Sequence, residues 1–327
     1  MKDFYTSNKY NNSQDISLPL VRMLKSDIEF FRLNKLLVGL AELCSSLSYR
    51  SDILDQRLRR YQVYCEEAKR ISYAMDSGNI RFAFIKTITI FPKDIADLDI
   101  LILDMDDLKN SERVLAEAGY EKRKKGLEQH LWSLSRDGVI VDVELHTSVA
   151  AAGYEYYPKH IIFKNIVDLN GIKTTSPLDS LILSVAHSVV KDLYITLADI
   201  LDFTLTLNRY KVNLDLLTHY AKDLGLLIPL ILYLSLLETF DDDMRENLAN
   251  YGSMRKFFTA MNYGKMPLRP RIYTLILSYL EMTLGKLQYE PPSTILSEIL
   301  SLPRGKGVDG LLYYMTGAKP PVKKLSE

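Results

Sequence analysis

The sequence predicts an α+β protein, a small mixed sheet flanked by N- and C-terminal helical regions. Three observations carry that prediction. From Leu18 to about Ser77, apolar residues recur at three- and four-residue spacing, the period of a helix with one buried face. Between Arg81 and His146, β-branched and aromatic residues crowd into short runs, the composition that a pleated, half-buried surface favours. After Gly171 the helical pattern returns and persists. The chain therefore divides into a helical region at 1–78, an α/β core at 79–170 and a helical domain at 171–327.

The first dozen residues are polar and read as frayed. "MLKSDIEFFRLNKLLVGLAELCSSL" reads as amphipathic helix, and "RSDILDQRLRRYQVYCEEAKRISYAMDSGN" as a second helix ending near Gly78. "IRFAFIKTITIF" then reads as a strand and "DLDILILD" as a short buried one. "DDLKNSERVLAEAGY" is a helix, with acids at the positive end of its dipole and Gly119 as its stop. "QHLWSLS" and "VIVDVELH" pair as a hairpin, with Asp137-Gly138 at the turn. "TTSPLDSLILSVAHSVV" opens a helix with Ser176 as cap and Pro177 at the first helical position. "VNLDLLTHYAKDLG" is another helix, capped by Asn213. "DDDMRENLANYGS" reads as a surface loop and "AKPPVKKLSE" as a terminal tail.

At 327 residues the chain is long enough for two or three packed units. Lys plus Arg and Asp plus Glu stand at 41 each, so any preference for nucleic acid or an acidic partner must come from a local patch. Two cysteines, Cys44 and Cys65, are too few for a disulfide framework or a zinc cage. The Met1 end lacks the apolar core of a signal peptide. The longest apolar run, Leu224 to Leu237, is too short to span a bilayer and contains Pro229. These features predict a cytoplasmic protein without a membrane partner.

The chemistry concentrates in "ADLDILILD", Ala96 to Asp104. Side chains two apart on a strand share a face, so Asp97 and Asp99 point the same way, about 6.6 Å apart along the chain. Two such carboxylates beside an apolar run repel, and burial raises their pKa values unless a cation compensates. A divalent magnesium or manganese ion, which favours oxygen ligands, does so. Asp142, Glu144 and His146 share one face of "VIVDVELH" by the same argument. If the two strands are neighbours, a third carboxylate joins the pair, enough to hold metals that clamp a nucleotide's phosphate. Without a metal, the same residues read as solvated strand ends and a hydrogen-bonded histidine. Asp104, Asp106 and Asp107 read as caps and dipole partners of the following helix.

At these residues the sequence resembles the nucleotidyltransferase superfamily, of polymerase-beta-like fold, and within it a group of uncharacterised nucleotidyltransferases with a helical C-terminal part. That group carries a Lys-Gly after a strand, a "DiDlLv" strand, a helix ending "Gy" and an acidic-Leu-His strand. A later helix has His, a basic residue one turn on, and then Asp. The matching stretches here are Lys86-Thr87, "DLDILI", "LAEAGY", Glu144-Leu145-His146, and His187, Lys191 and Asp199. The resemblance covers roughly 82–202. It implies a small mixed-sheet nucleotidyltransferase core in which Asp97 and Asp99 bind Mg2+ or Mn2+. Glu144 is then the third ligand or general base, with Asp142 as runner-up for that role. Lys86, Thr87 and Lys191 would bind the triphosphate, and His146 would orient the acids. Two departures stand out: Lys86-Thr87 occupies the phosphate-cradling position without its glycine, where a side chain obstructs close approach, and the link from Lys86 to Asp97 is too short for the usual helix.

The implied reaction moves a nucleoside monophosphate from an NTP to a hydroxyl, releasing pyrophosphate. The acceptor stays open among RNA, a protein side chain and a small molecule, and the sequence does not specify an oligomeric state. Two other classes share the motif. One is a protein of the same fold that binds a nucleotide or a partner without turnover. The other is a metal-dependent glycosyltransferase, whose Asp-x-Asp normally follows a nucleotide-binding βαβ region, whereas the preceding segment here is helical. The basic run "EKRKKG", with Lys122, Arg123, Lys124 and Lys125, reads as a solvated surface or a contact to a triphosphate or polynucleotide. Arg269 and Arg271 read as a surface turn or a phosphate contact.

Overall fold

A computed structural model describes residues 31–46, 51–125, 129–151, 154–237, 272–287 and 290–301. The expected helical stretch before residue 31, the loop "DDDMRENLANYGS", Arg269, Arg271 and the tail lie outside these residues. Helix α1 spans Leu37–Ser46 and α2 Asp52–Ser77, the latter closed by Gly78 as expected. Strands β1 (Phe82–Phe84) and β2 (Leu98–Ile102) follow, then α3 (Met105–Glu117). The Asp104 carboxylate caps α3 by accepting from the Asp106 and Asp107 amides. Next come β3 (Glu121–Lys125), β4 (Gln129–Arg136) and β5 (Val139–His146). Arg136 pairs with Val139, so Asp137 and Gly138 form a two-residue turn, and both carry positive φ (51° and 75°), the geometry this type of hairpin requires.

Four short strands follow: β6 (Val149–Ala151), β7 (Tyr154–Tyr157), β8 (Val167–Leu169) and β9 (Ile172–Thr174), with α4 (Lys159–Lys164) between β7 and β8. Helix α5 (Pro177–Ala186) starts on the Ser176 cap and runs into a π-helical turn, His187–Lys191. Helices α6 (Leu197–Tyr210), α7 (Leu214–Asp223), α8 (Leu227–Leu237), α9 (Ile272–Lys286) and α10 (Pro292–Ser301) complete the described chain. Asn213 caps α7, accepting from the Asp215 and Leu216 amides. Among the described residues no helix is long and apolar enough to cross a membrane.

The main sheet has the order β3-β4-β5-β2-β1-β9-β8. Strands β2 and β5 are parallel neighbours, as are β1 and β9, and the other pairs are antiparallel. This mixed sheet between helices is the expected α+β architecture. Pleating sends alternate residues to opposite faces. On one face Phe82, Phe84, Ile100, Val141, Val143 and Leu145 pack with Tyr64, Ile71 and Met75 of α2 and Leu108 and Leu115 of α3. On the other, Ala83, Ile85 and Leu101 join a larger core built from α5, α6 and α8. Residues 97, 99, 142, 144 and 146 belong to this second face.

The sheet departs from expectation at β1. "IRFAFIKTITIF" has strand composition throughout, yet the strand stops at Phe84 and the link to Asp97 is irregular. Lys86 there takes a left-handed φ of 62°, which interrupts a pleat. The link is then held from three sides. Asp202 of α6 accepts from the Ile90 and Phe91 amides at 2.7 and 2.9 Å. Lys93 pairs with Asp199 at 3.2 Å. Asp94 accepts from the Leu37 amide at 3.2 Å, and its own amide donates to the Lys35 carbonyl.

Candidate active site

The site grows from the parallel pairing of β2 with β5. Asp99 lies directly opposite Glu144, flanked by Leu98 opposite Val143 and Leu101 opposite His146. Neighbouring strands are about 4.8 Å apart, so the two carboxylates are adjacent on one face. One oxygen each from Asp99 and Glu144 and a ring nitrogen of His146 lie within 4.8 Å of one another, and all three residues are buried. His146 Nε2 is 2.7 Å from Asp99 Oδ1 and 3.6 Å from Glu144 Oε2. Two carboxylates and an imidazole suit Mn2+, and the oxygens alone suit Mg2+, so these residues fit a divalent cation.

Asp97 and Asp142 stand one step further out. Asp97 just precedes β2 and is half-buried, and Asp142 is half-buried with Oδ1 accepting from Ser133 Oγ at 2.6 Å. Neither joins the compact group of three. Tyr64 of α2 ties the segments that carry this outer pair together from the opposite face. Its hydroxyl donates to Ala96 O at 2.8 Å and accepts from the Asp142 amide at 3.2 Å.

Lys86 and Thr87 form the turn that leads from β1 into the site. The Ile85 amide donates to Asp99 O at 2.9 Å, and the Thr87 amide closes the turn on Ile85 O at 2.7 Å. Thr87 Oγ1 accepts from the Asp99 amide at 3.0 Å and donates to Ile85 O. The hydroxyl thus shapes the turn, while the left-handed lysine takes the conformation that glycine adopts most readily. Lys86 Nζ lies 3.2 Å from Asp99 Oδ2.

From the helical side, the π turn is closed by the Asp192 amide donating to His187 O at 2.8 Å. Such a turn inserts one extra residue into a helix and recurs at functional sites. It carries Lys191, whose charge is felt by Asp99, His146, Lys86 and His187. His187 Nδ1 accepts from the Tyr156 hydroxyl at 3.1 Å, and Nε2 lies 3.3 Å from Asp192 Oδ1. Asp199 sits further back in the wall. It forms a capping box with Thr196 at the start of α6 and pairs with Lys93.

These charges set one another's protonation. Burial pushes Asp99 up, but Lys86, the His146 hydrogen bond and Lys191 outweigh it and hold the carboxyl well below its usual range. Burial lowers His146 despite Asp99, with Lys86 and Lys191 adding to the effect, so the imidazole is neutral at pH 7. Burial likewise lowers Lys86, an effect that Asp99 opposes and Lys191 reinforces. His187 is pushed down to about 4, by burial first and then by the two lysines against the pull of Asp192. Asp192 is held low despite burial. His187 does most of this, through its charge and its hydrogen bond at the low pH where Asp192 would take a proton, and Lys35 and Lys191 add to it.

Lys35, Tyr64, Tyr156 and Asp192 were not singled out by sequence reasoning. Lys35 has a left-handed φ of 56°, and its Nζ sits 5.6 Å above the Tyr194 ring. Burial disfavours its charge, yet Asp199, Tyr194, Asp192 and Asp97 together raise its pKa. Only Asp192 had a sequence signal, standing beside Lys191 in "VVKDLY". The basic run at β3 lies at a sheet edge, two strands from Glu144, with Lys122 paired to Glu112 and Arg123 to Glu121.

A family model described as uncharacterised nucleotidyltransferase matches residues 51–240, a span that takes in α2, the sheet and the helices through α8. No curated protein and no solved structure matches the chain.

Proposed function

The chain belongs to this nucleotidyltransferase family, and from that premise we propose that it transfers a nucleoside monophosphate from an NTP to a hydroxyl acceptor, releasing pyrophosphate, with Mg2+ or Mn2+ at Asp99 and Glu144. The observation that carries the reading is the register of β2 against β5, which sets Asp99 beside Glu144 with His146 in the same group. When bound, the cation neutralises phosphate charge and lowers the pKa of the acceptor hydroxyl.

The remaining steps belong to the chain's own side chains. Lys86 and Lys191 face the carboxylates and bind the triphosphate. The neutral His146 donates to Asp99 and fixes its orientation. Asp97 and Asp142 form the outer pair. Of the two candidates for accepting the hydroxyl proton, Asp142 is the better placed, because Glu144 is buried beside His146 whereas Asp142 is half-exposed.

One observation favours a second reading, a protein that binds without turnover. Both Asp99 oxygens already have partners, Lys86 and His146. The test is label transfer from each α-labelled NTP, with Mg2+ or Mn2+, into RNA and protein of a cell extract, beside an Asp97→Asn/Asp99→Asn variant. Label lost in the variant supports transfer. Equal label from the variant sinks it, and metal-dependent NTP binding without label selects the second reading.

A further inference from the structure

Asp99 is the carboxylate of β2, and its two oxygens are divided between the buried His146 and the largely buried Lys86 ammonium. Oδ1 is 2.7 Å from His146 Nε2, and Oδ2 is 3.2 Å from Lys86 Nζ. The Lys86 side chain is 11% exposed and that of Asp99 12%. A divalent cation entering between Asp99 and Glu144 therefore meets a charge that an ammonium already balances. The backbone under that ammonium is tied in place. Ile85 donates to Asp99 O, Asp99 donates to Thr87 Oγ1, and Thr87 donates to Ile85 O. Both backbone groups of Asp99 thus clamp the turn that carries Lys86. Any movement of the charge must come from the flexible four-carbon stem.

We propose that the Lys86 ammonium is the resident counter-ion of Asp99, and that its displacement couples metal binding to nucleotide binding. The proposal rests on the metal and nucleotide reading above. Metal entry at Asp99 and Glu144 places two cations on one carboxylate, and the ammonium is driven off. A buried ammonium without an anion is unfavourable, and the phosphates of an NTP supply that anion. Each ligand thereby raises the affinity of the other, by the same factor in both directions. Metal alone binds weakly because it leaves Lys86 only the weaker pull of Asp97 and Asp192, and nucleotide alone binds weakly because Asp99 competes for the same ammonium.

The test is Mn2+ titration of the full chain, reading free Mn2+ by electron paramagnetic resonance, with and without an α,β-methylene NTP analogue. Wild type is compared with Lys86→Met, Lys86→Gly and Lys86→Arg. Lys86→Gly removes the charge while easing the left-handed backbone, so it guards against a loss of folding in Lys86→Met. The analogue is expected to tighten Mn2+ binding to wild type about tenfold. The two neutral variants are expected to bind Mn2+ about tenfold more tightly than wild type without the analogue, and to gain little more from it. Lys86→Arg keeps the coupling. Neutral variants that bind Mn2+ no more tightly than wild type overturn the proposal. If wild type still binds Mn2+ and the analogue in that case, the transfer reading survives and only the coupling falls. If no form binds Mn2+, both fall.

Discussion

Tyr64→Phe tests whether a hydroxyl on the far side of the sheet sets the geometry of the acids. Tyr64 is fully buried in α2. Its hydroxyl donates to Ala96 O at 2.8 Å, lies 3.2 Å from Ile140 O, and accepts from Arg60 Nη2 at 2.9 Å and the Asp142 amide at 3.2 Å. Ala96 precedes Asp97 on the approach to β2, and Asp142 is in the middle of β5, so one oxygen ties together the two segments that carry the outer carboxylates. Phenylalanine fills the same space but leaves the Asp142 amide without this partner and weakens the hold on Ala96 O. A net hydrogen bond contributes about 1 kcal/mol, and a buried group left unpaired costs about 1–3 kcal/mol. The Arg60 contact over the ring, at 4.9 Å, survives the change. The expected loss is therefore about 2–3 kcal/mol, read from urea unfolding, with faster exchange of the Asp142 amide. Turnover should fall about tenfold with little change in KM, as expected of lost positioning rather than lost substrate contacts. Tyr73→Phe, at a residue 77% exposed, is the control. An unchanged midpoint together with unchanged Asp142 exchange would refute the reasoning.

Three further outcomes follow from the same geometry. Glu144→Gln should abolish Mn2+ binding measured by calorimetry, whereas Asp142→Asn should keep it and lower kcat by about 100-fold or more, the ordinary range for a lost general base; metal loss in Asp142→Asn with binding kept in Glu144→Gln would reverse the assignment, and equal loss in both would refute it. His187 is held at about 4 against an ordinary 6.5, so between those values the unfolded chain binds a proton that the folded chain refuses. Stability is then complete above about pH 6.5 and falls by roughly 3 kcal/mol as pH drops to about 4, and urea midpoints across that window should lose this slope in His187→Gln. Gly225→Ala should cost about 3 kcal/mol in thermal or urea unfolding: φ is +67°, and an added Cβ meets Glu281 O at 2.9 Å, where Glu281 caps the start of α8 through the Leu227 and Ile228 amides.

Some of this structure was legible in local chemistry. Caps were readable because a side chain and the amides it serves are two or three residues apart: Ser176 before Pro177, Asn213 before α7, Asp104 before α3. The two acid-bearing strands were readable because apolar runs and a period of two are local signals. β3 was not, because "EKRKK" has no apolar alternation and is a strand through its pairing with β4. β6 to β9 are three or four residues each, too short for any period to show. Ile88 and Ile90 carried a false strand signal, since a side chain 112 residues away takes the Ile90 amide that a ladder would have used.

The candidate site divides along the same line. Period two places Asp97 with Asp99 and Asp142 with Glu144, but it says nothing about which pair lies deeper. That is decided by the fold, which buries Asp99 opposite Glu144 and leaves Asp97, just before β2, half-exposed. The missing glycine is the instructive case. Read as residue types, Lys86-Thr87 counts against a phosphate-cradling turn, because lysine pays a steric cost in the left-handed region that glycine avoids. The backbone does turn here, with φ at +62° and both backbone groups of Asp99 bonded to it, but the Ile85 and Thr87 amides are taken by Asp99 O and Ile85 O. What the substitution adds is a tethered positive charge 3.2 Å from an Asp99 oxygen. A glycine at this position would leave Asp99 and Glu144 without that compensation. Lysine at position 86 thus bears first on how the acids are balanced, through an ammonium beside Asp99.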